Sequence, residues 1–179
     1  MERLVHYVCD KSVYFSTYNL FPLDADGIIG QMLYLQSCKG KKLNTRALHF
    51  VLSYDTGGWE WQMEWQEVYE SISAVYIAAE TMNVSEYQWC AGVHDEEKHR
   101  HIHFVLNPVN LATKNVLHYN MSQYRDFLKE LAWWLYAKFR IALSGVSYIA
   151  EDGGMRYVDK SVPNSFLYEN RSYSHEPLR

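Results

Sequence analysis

The sequence predicts an α+β fold, in which an antiparallel β-sheet carries helices packed on one face and a functional site on the sheet itself. Segments typical of strands and segments with helical periodicity follow one another in the order strand, helix, strand, strand, helix. The two middle strands, 85–94 and 100–108, are close enough in sequence to form an antiparallel hairpin. The sheet face away from the helices is then free to carry polar side chains.

The chain has 179 residues, which predicts a single domain over 1–179, with a core of about 3–143 and a C-terminal extension at 145–179. A hydrophobic content of 48% with four prolines and nine glycines excludes a disordered or low-complexity protein. The length is sufficient to bury a substantial hydrophobic core.

The net charge of −4 argues against sequence-independent binding to duplex DNA, which depends on many Lys and Arg contacts to phosphates. It leaves open a small site that holds a few nucleotides with the help of a metal ion. The three cysteines form no CxxC pair, which indicates reduced thiols. The charged start MERLVHYVCDK and the lack of a long apolar run predict a cytoplasmic protein without a membrane segment.

The clearest strand of the amino-terminal half is ALHFVLSY, residues 47–54. Alternation places His49, Val51 and Ser53 on one face of it. The remaining predictions for this half are a short strand at 3–9, a loop at 10–24, a short helix at 25–37 and a basic connection at 38–46.

Two longer helices are predicted from apolar residues that recur at helical spacing. The first covers 61–82 and the second 121–143. The sequence further predicts a short edge strand at 114–120 and a weak hairpin within 145–179.

The segment HDEEKHRHIHFVLN, residues 94–107, contains four histidines, three acids and an asparagine. Alternation along its strand puts His101, His103 and Asn107 on one face and leaves the apolar residues for the core. In the hairpin, His94 ends one strand near the point where His101 begins the next. Three imidazoles that converge in this way predict a metal site with open coordination positions, as in catalytic centres.

Single histidines and acids in this segment have ordinary interpretations as well. His99 fits an exposed loop residue, and Asp95, Glu96 and Glu97 fit a solvated loop. The functional alternative for one of these acids, Glu96 above all, is to orient a metal-binding imidazole from behind.

The segment VHDEEKHRHIHFVLN resembles the third motif of the relaxases, the HUH endonucleases that nick plasmid DNA for conjugation. The name HUH describes two histidines that flank one apolar residue, here His101 and His103 around Ile102. His94, His101, His103 and Asn107 fall on the pattern of the MOBP branch, H-x-D-T followed by H-x-H and x-x-x-N. Glu96 and Glu97 stand where that pattern has Asp-Thr.

Two further segments resemble relaxase motifs in the expected order. ALHFVLSYD is similar to the second motif through His49 and Ser53, and LVHYVCDKS is similar to the first through Tyr7. The resemblance spans about residues 3–143. It implies Tyr7 as the nucleophile, His49 as its catalytic helper, His94, His101 and His103 as metal ligands, and Ser53 and Asn107 as DNA contacts. Glu96 would orient one of the metal-binding imidazoles from behind.

The resemblance implies a site- and strand-specific nickase that acts on single-stranded DNA at an origin of transfer. The tyrosine would form a 5′-phosphotyrosine intermediate, and the cofactor would be a divalent metal ion, Mn²⁺ or Mg²⁺, with Zn²⁺ as a substitute in a crystal. Accessory relaxosome proteins are the further partners that such an activity implies.

Three alternatives remain open at this point. Tyr14 and Tyr18 compete with Tyr7 for the nucleophile position, and His6 is a histidine candidate. A rolling-circle replication initiator would use the same chemistry with a tyrosine on a later helix, here Tyr124. A non-catalytic nucleic-acid-binding domain is the third interpretation, and the acidic charge supports it.

Overall fold

The computed structural model of the chain describes residues 1–39, 43, 45–54, 65–82, 84–95, 101–139, 143–149 and 155–157. Within them the chain forms an α+β fold with an antiparallel sheet, as predicted. In chain order the elements are α1 (Glu2–Asp10), β1 (Tyr14–Tyr18), α2 (Ala25–Ser37), β2 (Leu48–Tyr54), α3 (Trp65–Thr81), β3 (Trp89–His94), β4 (His101–Leu106), α4 (Met121–Phe139), β5 (Leu143–Ile149) and β6 (Met155–Tyr157).

The six strands form one sheet in the order β1-β3-β4-β2-β5-β6, and every neighbouring pair is antiparallel. The predicted hairpin is β3 with β4, and its register places His94 opposite His101. β2 lies on the other side of β4, so that Val51 faces His103. The two strands that carry the HUH segment are therefore in the middle of the sheet.

One sheet face, which we call the core face, is covered by α3 and α4. Phe50, Phe104 and Trp89 are fully buried beneath these helices, and the rings of Phe50 and Phe104 lie nearly parallel at 5.0 Å between centroids. The predicted apolar stripes of both helices are confirmed by the burial of Val68, Ile72, Val75, Ala79, Tyr124, Phe127, Leu128, Leu131 and Leu135.

The opposite face, which we call the site face, is not free as the sequence suggested. α1 and α2 pack on part of it through a smaller cluster that includes Val5, Val8, Ile28, Met32 and Val105. α1 lies against β3 and β4 at the histidine end, where the carbonyl oxygen of Val8 is 3.3 Å from Nε2 of His94. The site therefore sits beside two helices rather than on a bare sheet.

The prediction of a strand at 3–9 is wrong, because these residues form α1. Valines and a tyrosine favour strands locally, but Val5 and Val8 lie one turn apart and both bury completely against the sheet. The prediction of a loop throughout 10–24 is also wrong, because β1 pairs with β3 at the sheet edge. The predicted edge strand at 114–120 is reduced to a single bridge between Val109 and Val116.

α2 begins where the sequence predicts and has a clear start signal. The side chain of Asp24 caps it by accepting a hydrogen bond from the backbone N–H of Gly27 at 2.9 Å. The hairpin predicted within 145–179 is confirmed as β5 paired with β6. The polar tail beyond it lies outside the described residues.

Candidate active site

Three histidines converge at one end of the site face. His94 ends β3, His101 begins β4 opposite it, and His103 follows two residues later on the same face. One ring nitrogen from each side chain lies within 4.8 Å of the others, and His94 and His103 are buried while His101 is half-buried. The closest two rings are those of His94 and His103, with 4.3 Å between centroids.

His49 extends this group by one residue on the neighbouring strand. Its Nε2 lies 2.9 Å from Nδ1 of His103, and both side chains are buried. The backbone of His49 is fixed from the other side of the sheet, since the Tyr124 hydroxyl donates to its carbonyl oxygen at 3.0 Å. His49 is thus anchored at its backbone and contacts His103 through its ring.

Burial and neighbouring rings favour the neutral form of two of these histidines, His49 and His103, by lowering the pKa of each. Burial, together with a smaller effect of the neighbouring His94, lowers the pKa of His49 to about 4. Burial also holds the pKa of His103 far below its usual range, with His49, His94 and His101 adding to the effect. A neutral imidazole keeps a lone pair available at one ring nitrogen, which is the form that binds metal ions.

The donor set fits a divalent metal ion held by His94, His101 and His103. Nε2 of His103 is buried and has no hydrogen-bond partner among the described residues, a state that is costly for a polar atom in a folded protein. Since a neutral imidazole that offers Nε2 to a metal carries its proton on Nδ1, His103 then donates to His49. Three imidazoles with further positions open are typical of catalytic metal sites.

Tyr7 stands directly beside the histidines. Its ring centroid lies 5.0 Å from that of His94 and 5.3 Å from that of His103, both in edge-on geometry. The side chain is 40% exposed, so a substrate can reach it. The Lys11 ammonium lies 5.3 Å from the centre of the Tyr7 ring and adds a positive charge at this end of the sheet.

Tyr7 reaches this position because α1 lies very close to β3. Nε2 of His94 lies 3.3 Å from the carbonyl oxygen of Val8, and a Cβ at Gly92 would stand 2.6 Å from that same oxygen. The absence of a side chain at Gly92 therefore permits the approach. A partly exposed tyrosine hydroxyl, three imidazoles and a lysine gathered at one end of the sheet fit the chemistry of phosphoryl transfer.

The sequence of residues 7–132 matches the family of MobA/VirD2-like relaxases, in their nuclease domain. The chain belongs to this family. The matched range contains Tyr7 and all four histidines of the site. No curated protein and no solved structure gives a significant match to the chain.

Family membership establishes the coarse function. A relaxase nuclease domain is a DNA endonuclease that binds single-stranded DNA and uses a divalent metal ion, and the histidine triad of this relaxase fits that requirement. The match identifies the family but not a branch within it, so the assignment to the MOBP branch stays a prediction. Among the described residues, no helix is long and apolar enough to cross a membrane.

The competing tyrosines of this relaxase lie on the core face, away from the histidines. Tyr14 packs edge-on against Tyr69 of α3, and Tyr18 stacks on Tyr76. Tyr124 lies on α4 with its side chain buried against the core face, where its hydroxyl donates to the His49 carbonyl. The His6 ring lies within ion-pair distance of two aspartates, Asp10 and Asp26. Its Nε2 is 3.0 Å from Oδ1 of Asp26.

The prediction that Asn107 contacts DNA is not supported by its position. Its side chain is 0% exposed and lies at the other end of β4 from the triad. Nδ2 donates to the Met32 carbonyl and to Oε1 of Gln88, while Oδ1 accepts from Nε2 of Gln36 at 3.0 Å. These bonds attach α2 to the sheet, so the spacing that suggested a DNA contact marks a structural residue.

Two other predicted residues have different outcomes. Ser53 is half-buried and lies opposite His101 in the β2–β4 register, so it borders the histidine cluster on the site face. Glu96 lies outside the described residues, and its predicted role behind a metal ligand stays a prediction.

Sequence reasoning missed Lys11 and Gly92. Lys11 belongs to no recognisable pattern in the sequence. It lies close to Tyr7 because residues 2–10 form a helix, which the sequence did not predict. Gly92 carried a usable signal, because a glycine inside a strand often marks a close approach of another backbone.

Proposed function

We propose that this relaxase domain nicks one strand of DNA at an origin of transfer and becomes linked to the 5′-phosphate through Tyr7, during plasmid mobilisation. The observation that carries the proposal is the contact of the Tyr7 ring with both His94 and His103. It is the tyrosine of the amino-terminal segment that meets the triad, and its side chain is accessible. Accessory relaxosome proteins would present the DNA.

The reaction exchanges one phosphoester bond for another. The Tyr7 oxygen attacks the scissile phosphorus, a new P–O bond forms to tyrosine, and the bond from phosphorus to the 3′-oxygen breaks. The tyrosine proton leaves to solvent or base, and the released 3′-oxygen takes up a proton. Because the number of phosphoester bonds is unchanged, the intermediate retains the energy needed for later rejoining.

The residues of the site divide the work. His94, His101 and His103 would hold a divalent ion, Mn²⁺ or Mg²⁺, which would supply electrostatic stabilisation of the charge that grows on the phosphate. Lys11 places a further positive charge next to Tyr7. Ser53, at the border of the cluster, is the proposed hydroxyl contact to a neighbouring phosphate.

For His49 the geometry supports a role through His103. The described hydrogen bond of its side chain goes to Nδ1 of His103, and its ring is buried. An imidazole so placed fixes the orientation and tautomer of the ligand in front of it. We therefore assign His49 to positioning of His103, in place of direct help to the tyrosine.

The position of Tyr124 bears on the alternative function. A replication initiator would need this hydroxyl beside the metal site, whereas Tyr124 is buried on α4 at the core face and its hydroxyl bonds to the His49 carbonyl. The acidic net charge of −4 is the remaining support for a non-catalytic binding domain.

The test is an assay for SDS-stable protein–DNA adducts. The full chain is mixed with single-stranded oligonucleotides that tile its native genetic element, with Mn²⁺ or Mg²⁺, and compared with Tyr7→Phe, Tyr124→Phe and His101→Ala. We expect a metal-dependent adduct that is lost in Tyr7→Phe and His101→Ala but kept in Tyr124→Phe. Peptide mapping of the adduct should place the nucleotide on Tyr7.

Two results would contradict the proposal in different ways. Loss of the adduct in Tyr124→Phe with retention in Tyr7→Phe would assign the nucleophile to α4 and favour a replication initiator. Absence of any adduct on the tiled set, from protein shown by calorimetry to bind Mn²⁺, would favour a non-catalytic domain.

A further inference from the structure

A second concave site lies at the far end of the sheet from the histidines. It is a cavity of about 600 Å³ between α2, the turn after β1 and the loop after β4. Gln88, which lines it, precedes β3, whereas His94 ends that strand. Six residues of extended strand separate the two by roughly 20 Å. The volume is in the range of sites that hold small molecules or single nucleotides.

Two aromatic side chains at this cavity are displayed to solvent. Phe21 is 78% exposed and Tyr34 is 75% exposed, the highest values among the exposed large apolar residues of the described chain. Neither contributes to the two buried clusters that stabilise the fold. Rings that are exposed beside a concave surface are available to stack on a planar ligand.

The segment that presents Phe21 is held firmly. The Gln31 side chain accepts from the Phe21 N–H at 2.9 Å and donates to the Phe21 carbonyl at 3.1 Å. Just before it, Asn19 adopts a left-handed backbone with φ of 56° and donates to the Tyr87 carbonyl at 2.9 Å. The cavity rim is thus formed in advance, which reduces the entropy lost when a ligand binds.

Polar groups at the cavity suit a nucleobase. Oε1 of Gln88 accepts from Asn107 at 2.8 Å, which leaves the amide nitrogen of this buried side chain as a donor at the cavity wall. Lys114 adds a cation at the rim, where its ammonium donates to the Leu111 carbonyl. An aromatic platform combined with one amide donor is the usual chemistry of base recognition in single strands.

We propose that this cavity binds a nucleobase of the single-stranded DNA substrate at a distance from the scissile phosphate. The inference rests on the proposed function, because it concerns the same DNA strand. The net charge of −4 supports it, since an acidic protein gains little from general phosphate contacts and needs stacking to hold a single strand. The cavity would set where the strand lies relative to Tyr7.

The test measures binding of a fluorescein-labelled, mixed-sequence 30-nucleotide single strand to the full chain in EDTA, by fluorescence anisotropy. Phe21→Ala and Tyr34→Ala should each raise the Kd by at least about fivefold, the effect of removing one stacking side chain. The matched control is Tyr69→Ala, an aromatic residue on α3 that is 45% exposed on the other side of the sheet. Its Kd should stay within twofold of the native value.

A second measurement locates the base directly. Single strands that carry 5-iodouracil at successive positions are irradiated with the protein, and the crosslinked peptides are identified by mass spectrometry. We expect crosslinks to the peptides that contain Phe21 or Tyr34. Unchanged affinity in both variants together with crosslinks only elsewhere would overturn the proposal and favour a protein partner for this cavity.

The two measurements separate this inference from the proposed function. If the adduct through Tyr7 forms while Phe21→Ala and Tyr34→Ala bind DNA normally, the nickase stands and the base cavity is wrong. If the native chain binds no single strand and forms no adduct on the tiled set, both proposals are wrong.

Discussion

The two faces of this sheet are made by the same strands but differ in almost every physical property. On β4 the core face presents Ile102 and Phe104, which are completely buried under long helices. The site face presents His101, which is half-buried, and His103, which is buried, and both lie on the strand that α1 contacts. Because side chains alternate along a strand, one face of the sheet supplies stability while the other holds the metal-binding histidines in a fixed geometry.

The helices that cover the two faces explain the difference in access. α3 and α4 have 17 and 19 residues and close the core face. α1 and α2 have 9 and 13 residues, and at the histidine end Tyr7 is 40% exposed and His101 is half-buried, whereas His94 and His103 are buried. A buried polar cluster costs stability unless it is hydrogen-bonded, and the core face compensates for that cost by its apolar packing.

Adjacent residues on β4 should therefore have opposite phenotypes. Ile102→Ala removes a fully buried side chain from the core face, and we expect it to lower the free energy of unfolding by about 2–5 kcal/mol. His101→Ala removes a half-buried ligand from the site face and should change that free energy by less than about 1 kcal/mol. Urea denaturation measures the first effect, and calorimetric titration with Mn²⁺ should show that His101→Ala no longer binds the ion.

The proposed difference between the two faces would be contradicted if Ile102→Ala impaired Mn²⁺ binding and His101→Ala impaired stability. A His101→Ala protein that binds Mn²⁺ with native affinity would remove this residue from the triad. Folded Ile102→Ala protein, assayed below its unfolding midpoint, serves as the control and should retain the native Mn²⁺ affinity.

Gly92 tests how tightly the site face is assembled. A Cβ at this position would overlap Val8 of α1 and the Ser12 hydroxyl, with the Val8 carbonyl oxygen at 2.6 Å. We expect Gly92→Ala to cost about 1–3 kcal/mol of stability, the usual effect of overpacking, and to displace the helix that carries Tyr7. Adduct formation should fall more strongly than Mn²⁺ affinity, because the three ligands lie on the strands.

Gly30 provides the matched control for this substitution. It lies within α2, and a Cβ there would meet no atom within 4 Å. Gly30→Ala should leave adduct formation unchanged and raise stability slightly, since alanine favours helices over glycine. Native adduct yield in Gly92→Ala would mean that the position of α1 does not control the nucleophile.

The arrangement of the triad could be predicted from sequence because it depends on local rules. The period of two along β4 and the short hairpin loop determine which histidines share a face, and His94 faces His101 as expected. The apolar stripes of α3 and α4 follow from helical spacing in the same way. These elements required no information about distant parts of the chain.

α1 could not be predicted in this way because its conformation is decided by distant contacts. The letters LVHYV fit a strand, yet Val5 and Val8 pack on Cys90 and Val105 of the sheet only when the segment is helical. Tertiary packing overrides a weak local preference of this kind. The resemblance to a motif still identified Tyr7 as a candidate, although the secondary structure around it was wrong.

Asn107 shows the limit of reasoning from a motif alone. Its spacing after His103 suggested a DNA contact, but the strand ends at Leu106 and the next residue turns beneath α2. A buried side-chain amide whose oxygen and nitrogen both form hydrogen bonds within the protein stabilises the fold. Burial is a property of the assembled layers, which spacing does not reveal.

His49 and Asn107 offer the finest test, because both are buried polar residues on the site face and differ in what they hold. Asn107→Ala should cost about 1–3 kcal/mol of stability, since Gln36 and Gln88 lose their partner, and leave Mn²⁺ affinity native. His49→Ala should weaken Mn²⁺ binding by about 10- to 100-fold, because His103 is no longer oriented. Calorimetric titration and urea denaturation of both variants give the two quantities side by side.

The conservative variant His49→Gln separates positioning from direct catalysis. A glutamine carbonyl can accept the hydrogen bond from Nδ1 of His103, so Mn²⁺ affinity should recover substantially relative to His49→Ala, and adduct formation should recover with it. If affinity recovers while adduct formation stays at the level of His49→Ala, the imidazole itself takes part in the reaction at Tyr7. If neither substitution changes the Mn²⁺ affinity, His103 is oriented by its strand alone. The contact between His49 and His103 then contributes only to packing on the site face.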